Sequence, residues 1–347
     1  MQYLSKLHQV SDLPFNFFHA QVITAIGHHG HRLASLFVCQ GPLTQLKMVA
    51  VLVNDNVGSI TALSANPPES YECFTSVCPE AHLFEREIWE QWGIRPNNHP
   101  CLKPVRFYSQ GSPYFFAKKI TPIGDMEYFQ IEGGEAHDVG VGPVHAGIIG
   151  PGHFRFSCHG EHVYHLEISL GYQHRGLEEK LIGGPDKKTI FYIEAAAGDT
   201  TMAHSWAYCA NIESLANLEV SLGTQVLRAI MLELERMANH IGDIGDLAGD
   251  VGFMPTQAYC GRIRGDFLNL TAYICGNRFG RSMLLPGGMH FGLPYDRIGE
   301  FKKKLDAAFV DAKGAADLLW DNSGILSRFE NVGIVTNKMV KDLGLVG

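Results

Sequence analysis

No stretch of the 347-residue chain approaches the roughly 18–20 consecutive apolar residues that a helix needs to cross a bilayer. Any membrane role therefore depends on other chains. Positive charge is also scarce. Lys and Arg number 28 against 36 Asp and Glu, the formal charge is −8, and no long basic run occurs. Phosphate backbones need concentrated positive charge, so no nucleic-acid partner is expected. The N-terminal MQYLSKLHQVSDLPFNFF has one Lys and a broken apolar run, which argues against a secretory signal. No G-x-G-x-x-G follows a strand pattern, and neither G-x-x-x-x-G-K-[ST] nor a serine nucleophile elbow occurs. Nucleotide binding and serine hydrolysis thus have no motif. The eight cysteines include no C-x-x-C pair. Without close thiolate spacing or an export signal, reduced and mostly buried thiols are expected. Disulfides, iron–sulfur clusters and soft-metal sites are not.

What is present falls into two textures. With 46% hydrophobic and 18% charged residues the chain can bury a sizeable core. LASLFVC (33–39), KMVAVLV (47–53) and SITAL (59–63) are β-branched or apolar runs between Gly, Asn, Asp and Pro, and they read as strands. Phe84, Ile88 and Trp92 then mark one face of a helix, with Glu85, Glu87 and Glu90 off it and Gly93 where a helix stops. The stretch 124–141 is Gly-rich, acidic and poorly periodic, as a linker would be. Beyond it Phe154, Phe156 and Cys158 alternate with polar residues. Tyr164, Leu166 and Ile168 do the same after Gly160, which predicts a β-hairpin. Helical periodicity follows, clearest in Val226, Ile230, Leu234, Met237 and Ile241. The expected fold class is α+β. A small α/β domain over 1–123 and a linker over 124–141 precede a mainly helical domain with a hairpin over 142–347.

Histidines number 17 and gather at 28, 29 and 31 and around the hairpin. Strand alternation splits the hairpin group, with His165 opposite the Tyr164 side and His159 and His162 near the tip, so no metal site is expected. The segment 172–180 places His174 and Arg175 close to Glu178. At helical spacing Arg175 and Glu178 can pair, either as a surface ion pair or as a proton-relay carboxylate tuned by burial. Asp243, Asp246 and Asp250 lack the alternating-ligand plan of a calcium loop and read as acidic caps at a Gly-rich helix end. Gly287 and Gly288 after Pro286 mark a turn where backbone comes close to another group.

Taken together, GPVHAG (142–147), HGEHVYHLEISLGYQHRGLEEKL (159–181), AHSWAYCANIE (203–213), ELERMANHIGDIGDLAGDVGF (233–253) and GNRFGRSMLLPGG (276–288) resemble one family. It is the large-subunit fold shared by [NiFe] hydrogenases and the 49-kDa-type subunit of respiratory complex I. FEREIWEQWGIRPNNHPCLKPVRF (84–107) resembles the 30-kDa-type complex I subunit. A 30-kDa-like part ahead of a 49-kDa-like part is the layout of the large subunit of group 4, formate-hydrogenlyase-type membrane-bound hydrogenases. By that pattern the chain stops at LGLVG before the family's C-terminal region.

The resemblance implies an oxidoreductase-complex subunit, and the departures alter its chemistry. Active hydrogenases carry a C-x-x-C just before A-H-S-x-A-Y, and here those positions fall on Ala197 and Thr200. Neither supplies a thiolate, so no nickel–iron centre and no metal ligand set is expected. Complex I-type subunits place two histidines four residues apart in the G-P-x-H loop and a Tyr near the hydrogenase cysteine. Here His145 is kept, the second position is Ile149, and the Tyr position falls at or near Gly198. Quinone binding is left open. Arg175, Glu178 and His204 match positions lining the old metal or quinone cavity, with Glu178 on the proton-carrying carboxylate, and His174 beside them.

The implied role is the large subunit of a membrane-bound, energy-converting complex that couples electron transfer to ion movement without nickel. It would lie peripherally on the cytoplasmic side of the cell membrane. Its implied partners are an iron–sulfur small subunit, antiporter-like subunits and a quinone-channel-type membrane subunit. The rival readings are a redox-silent scaffold and a quinone-reducing subunit with an altered site.

Overall fold

The computed structural model of the chain describes residues 10–28, 30–41, 45–108, 116, 121–145 and 149–345. These residues form two compact units. One runs up to Arg175 and takes in the C-terminal segment from Val335, and the other is Gly176–Ile334.

In the first unit β1 (Ser11–Leu13), α1 (Phe15–His28), β2 (Arg32–Gln40), β3 (Leu46–Asn54) and β4 (Ser59–Ala65) make a mixed sheet of order β1-β4-β3-β2. Within it only the β1–β4 pairing is parallel. Phe18 and Val22 of α1 are fully buried in one core with Leu36, Met48, Ala50, Leu52 and Leu63, so the three predicted strand runs supply it. The short β5 (Ser70–Glu72) pairs in parallel with β6 (Arg95–Asn97). Between them lies α2 (His82–Trp92), ended by Gly93 at φ 75°, whose N–H donates to Trp89 O at 2.9 Å. Only glycine enters this left-handed conformation without cost, which fits the predicted stop.

The carboxylates of α2 depart from the expectation. Glu85 and Glu90 do not lie off the core but are buried within it. Glu85 accepts from Phe74 N (2.8 Å), Thr75 N (2.9 Å) and Thr75 Oγ1 (2.6 Å). Glu90 accepts from the N–H groups of Val105, Arg106 and Phe107 at 2.8, 2.9 and 2.5 Å. Acidic residues in an amphipathic pattern read as solvent-facing. Here they are drawn inward because irregular loops leave backbone donors that need acceptors.

His82 opens the same helix, with Arg86 Nη1 3.2 Å from its Nε2 and the His99 ring stacked on it at 5.1 Å. Burial, then the Arg86 charge and then His99, hold its pKa down at about 4. His99 is lowered as well, first by burial. An unfolded chain binds protons below about pH 6.5 that folded His82 refuses, so stability rises with pH between about 4 and 6.5 and then levels. Discounted for the partial exposure of His82, the gain is about 1–2 kcal/mol. Urea unfolding as a function of pH is expected to show a flatter acid limb in His82→Gln than in the parent.

The stretch 124–141 is not free of structure, as a linker would be. Its last third is β7 (Ala136–Val141), which pairs with β8 (His153–His159) over six residues. The alternation of His137, Val139 and Val141 is masked in sequence by Gly and acidic neighbours. The predicted hairpin is β8 with β9 (His162–Ser169), turning at Gly160 with φ 56°. Its polar face is the covered one. Glu167 pairs with Lys103 and accepts the Phe129 N–H, and Arg155 lies over the Tyr128 ring at 4.7 Å. Val139, Val141, Leu166 and Ile168 on the other face are each more than 40% exposed.

The second unit is helical. It comprises α3 (Leu177–Leu181), α4 (Thr189–Glu194), α5 (Thr201–Leu215), α6 (Leu222–Asp250), α7 (Met254–Cys275), α8 (Ile298–Trp320) and α9 (Ser323–Phe329). The short strands β10 (Leu284–Leu285) and β11 (Gly288–Met289) form a small hairpin. A last helix, α10 (Asn337–Asp342), belongs to the first unit. Ser221 caps α6, accepting the Thr224 N–H at 3.3 Å.

The buried stripe of α6 is rotated from the predicted one. Met231, Leu234, Ala238, Ile241, Gly245 and Ala248 are inside, while Val226 and Ile230 are exposed. Small residues carry the contact: a Cβ on Gly245 would stand 2.7 Å from Cys260 Cβ of α7. A count of large apolar residues passes over that face. Asp243, Asp246 and Asp250 sit on the last turns of α6 and cap nothing. Burial, then the two neighbouring carboxylates, raise the pKa of Asp246. No helix among the described residues is long and apolar enough to cross a membrane. All eight cysteines are free thiols, six of them buried, and burial pushes Cys78 to about 12 and Cys209 to about 11.

Candidate functional site

The residues singled out in sequence divide between the two units. His145, His174 and Arg175 belong to the first, and Glu178, Ala197, Gly198, Thr200 and His204 to the helical one.

In the first unit half-buried His145 places Nε2 2.8 Å from Gly152 O, and its ring meets Phe154 edge-on at 5.4 Å. The following loop position, Ile149, is half exposed. His174 is half-buried and stands edge-on to Tyr108 at 5.1 Å and 82°. Arg175 is exposed at the end of this unit. His159 and His162 face each other across the hairpin turn, and His165 packs on Phe129 at 4.5 Å. His29 and the side chain of His28 lie outside the described residues. Among the described residues no three His, Cys, Asp or Glu side chains are placed to hold a metal ion.

The helix expected to carry both Arg175 and Glu178 begins after Gly176. Gly176 takes φ 64° ahead of α3, so Arg175 lies before the helix. Glu178 is exposed in the first turn of α3.

Ala197, Gly198, Thr200 and His204 do come together, at the start of α5. Ala197 O accepts the Thr200 N–H at 3.4 Å, and Gly198 O is 3.5 Å from Thr201 Oγ1. Thr200 O accepts the N–H of His204, whose ring is exposed. Thr200 makes no side-chain cap. Glu235 of α6 caps instead, accepting the Met202 and Ala203 N–H groups at 2.6 and 3.1 Å. That places a carboxylate at the positive end of α5. Burial, partly offset by those two N–H groups and reinforced by Asp199, nonetheless raises its pKa. Asn239 Nδ2 holds Asp199 O at 3.1 Å, so α6 fixes the loop at two points. Glu194 accepts the Ser282 N–H at 2.6 Å, and burial raises its pKa as well.

A second buried assembly lies at the other end of α5. Arg228, 1% exposed, reaches Glu213 with Nη1 at 3.0 Å and Nη2 at 2.6 Å. Nη2 also reaches Leu285 O and Gly288 O, while Glu213 accepts the Gly287 N–H at 2.7 Å. The Pro286–Gly288 turn thus approaches this ion pair, as its glycines predict. Sequence reasoning passed over Glu235, Asn239, Glu194 and Arg228. Their available signal is position: Arg228 and Glu235 share the i, i+3/i+4 face of Met231 and Ala238, where a charge needs a buried partner.

Comparison with known proteins places these parts. Residues 3–113 match the family described as the respiratory-chain NADH dehydrogenase 30 Kd subunit, and residues 250–347 match the 49 Kd subunit. An NADH-quinone oxidoreductase subunit of Campylobacter jejuni is 34% identical over 60% of this chain and 51% of its own. Its namesake in Clostridium beijerinckii is 28% identical over 64% and 60%. Formate hydrogenlyase subunit 5 of Escherichia coli is 26% identical over 82% of this chain and 52% of its own. The chain spans about half the length of these curated relatives. It joins a 30-kDa-type domain of complex I to a 49-kDa-type domain, as the sequence motifs imply.

Proposed function

We propose that this complex I-like chain, with its 30-kDa-type domain ahead of its 49-kDa-type domain, is the large peripheral subunit of an energy-converting membrane oxidoreductase lacking nickel. In this reading it lies on the cytoplasmic face, takes electrons from an iron–sulfur subunit, and couples their transfer to ion movement in antiporter-like and quinone-channel-type subunits. The observation that carries the reading is the 197–200 loop. α6 fixes it against the start of α5 through Glu235 and Asn239, yet Ala197 offers no donor atom and Thr200 only a hydroxyl. Those residues do not fit a thiolate-held nickel–iron centre. The usual quinone head-group pair is altered too, with Ile149 and Gly198 at the second His and the Tyr positions. The framework is kept while its ligands are replaced, which supports a coupling role over hydrogen chemistry.

Glu178 and His204, both exposed, are the groups on this framework that exchange protons with solvent or a partner subunit. The test is the native complex purified from solubilised membranes. Nickel is expected well below one atom per chain, and an iron–sulfur subunit and membrane subunits are expected to co-purify. Glu178→Gln is expected to abolish coupled turnover while leaving assembly intact. Stoichiometric nickel would return the chain to the hydrogenases. An intact complex with unchanged turnover and ion translocation in Glu178→Gln would leave a scaffold.

A further inference from the structure

One cavity among the described residues is used by neither the redox reading nor the hairpin. It is a groove of about 880 Å³ within the first unit, between the Pro67–Glu69 turn, the end of α2 and the 121–127 segment. Its volume lies within the about 300–1,000 Å³ of ordinary ligand sites.

Aromatic rings line it. Trp89 and Trp92 come from the end of α2, and Phe116 lies flat on Trp92 with ring centres 4.3 Å apart and planes 6° off parallel. Trp92 Nε1 is buried and has no acceptor among the described residues. The rim is acidic, with exposed Glu69 on one stretch of chain and exposed Asp125 and Glu127 on another. The one basic residue in the described lining, Lys103, is already paired with Glu167. Aromatic faces and carboxylates with no uncommitted cation among the described lining residues attract an organic cation. Two separated sources of negative charge suit a chain with more than one basic group over a single small cation. Trp and Pro surfaces are the lining that extended, Pro-containing peptides use.

We propose that this groove docks a basic, extended segment of another protein chain, its Lys or Arg side chains held by the Trp89–Trp92 wall and the Glu69, Asp125 and Glu127 rim. Such docking is independent of the redox role and survives its failure.

The test titrates the full chain with the peptide acetyl-Pro-Arg-Pro-Arg-amide, followed by tryptophan fluorescence and calorimetry. Saturable binding is expected, weakened at least about tenfold when citrulline replaces Arg. The exposed-site variant Glu69→Lys/Asp125→Lys/Glu127→Lys should lose binding by a similar factor and keep its unfolding midpoint. Equal affinity for the citrulline peptide, or undiminished binding to the triple variant, would overturn the proposal. So would tetramethylammonium binding as tightly as the peptide, which would make the groove a small-cation site.

Discussion

Arg228→Leu is expected to lower the stability of the helical unit by about 3–5 kcal/mol, the cost of leaving a buried charge unpaired. The substitution strands the Glu213 carboxylate, which is 6% exposed, and removes the donor that reaches Leu285 O and Gly288 O. For a unit of this size that corresponds to a drop of roughly 6–20 °C in its unfolding midpoint. Glu213→Met/Arg228→Leu should recover part of the loss, because no lone charge remains while the Pro286–Gly288 turn still lacks its partners. Arg228→Lys should fall nearer to Leu than to the parent, since an ammonium cannot meet both carboxylate oxygens and two carbonyls from one planar fork. Calorimetry on the three variants decides it. A loss below about 1 kcal/mol in Arg228→Leu would mean that the turn holds its place without the pair.

The pH dependence of the same pair has a definite sign. Burial pushes the Glu213 pKa up, but the Arg228 bonds, the Gly287 N–H and the Arg228 charge outweigh it and hold it below the usual glutamate range. The contribution is therefore complete at neutral pH and is lost as pH falls through and below that range. Glu194 and Glu235 have the opposite sign, because burial raises both. Their contribution declines as pH rises through the region just above the ordinary glutamate value. Acid titration of the helical unit should accordingly steepen at its low end in the parent and flatten there in Glu213→Met/Arg228→Leu.

How far the sequence could be read depends on what each element offers as a pattern. Strands β2, β3 and β4 and the Gly93 stop were legible because apolar alternation and a left-handed glycine are local signals. The rotated stripe of α6 was not, since Ala238, Gly245 and Ala248 contribute closeness to α7 and little hydrophobicity. β7 was hidden by its composition, although its pairing with β8 spans six residues. The candidate site was half legible. The residues at the start of α5 were found by motif position, but the groups that fix them come from α6, more than thirty residues away. No local spacing joins Met202 to Glu235. The start of α3 was not legible either, since helical spacing runs through Gly176 in the sequence while the helix begins only after it.

Glu90→Ala is expected to cost the first unit about 3 kcal/mol and to leave the helical unit's transition in place. The Glu90 carboxylate is 8% exposed and gathers three consecutive N–H groups, those of Val105, Arg106 and Phe107. Removing a buried acceptor leaves each such donor unsatisfied, at about 1–3 kcal/mol apiece before relaxation. The loop it holds is already strained, for Phe107 sits at φ 53°, a conformation bulky residues rarely adopt. Once the carboxylate is gone, relaxation of Phe107 toward a negative φ is opposed only by its packing beside Gly171, and any relaxation returns part of the cost. Glu90→Gln should be milder than Ala yet clearly destabilising, since its amide nitrogen would point a donor at other donors. Hydrogen exchange locates the effect. The amides of 105–107 should exchange much faster in both variants, while those of α6 and α7 keep their protection. If 105–107 stay protected in Glu90→Ala, the loop is held by packing alone and Glu90 has no organising part in this unit.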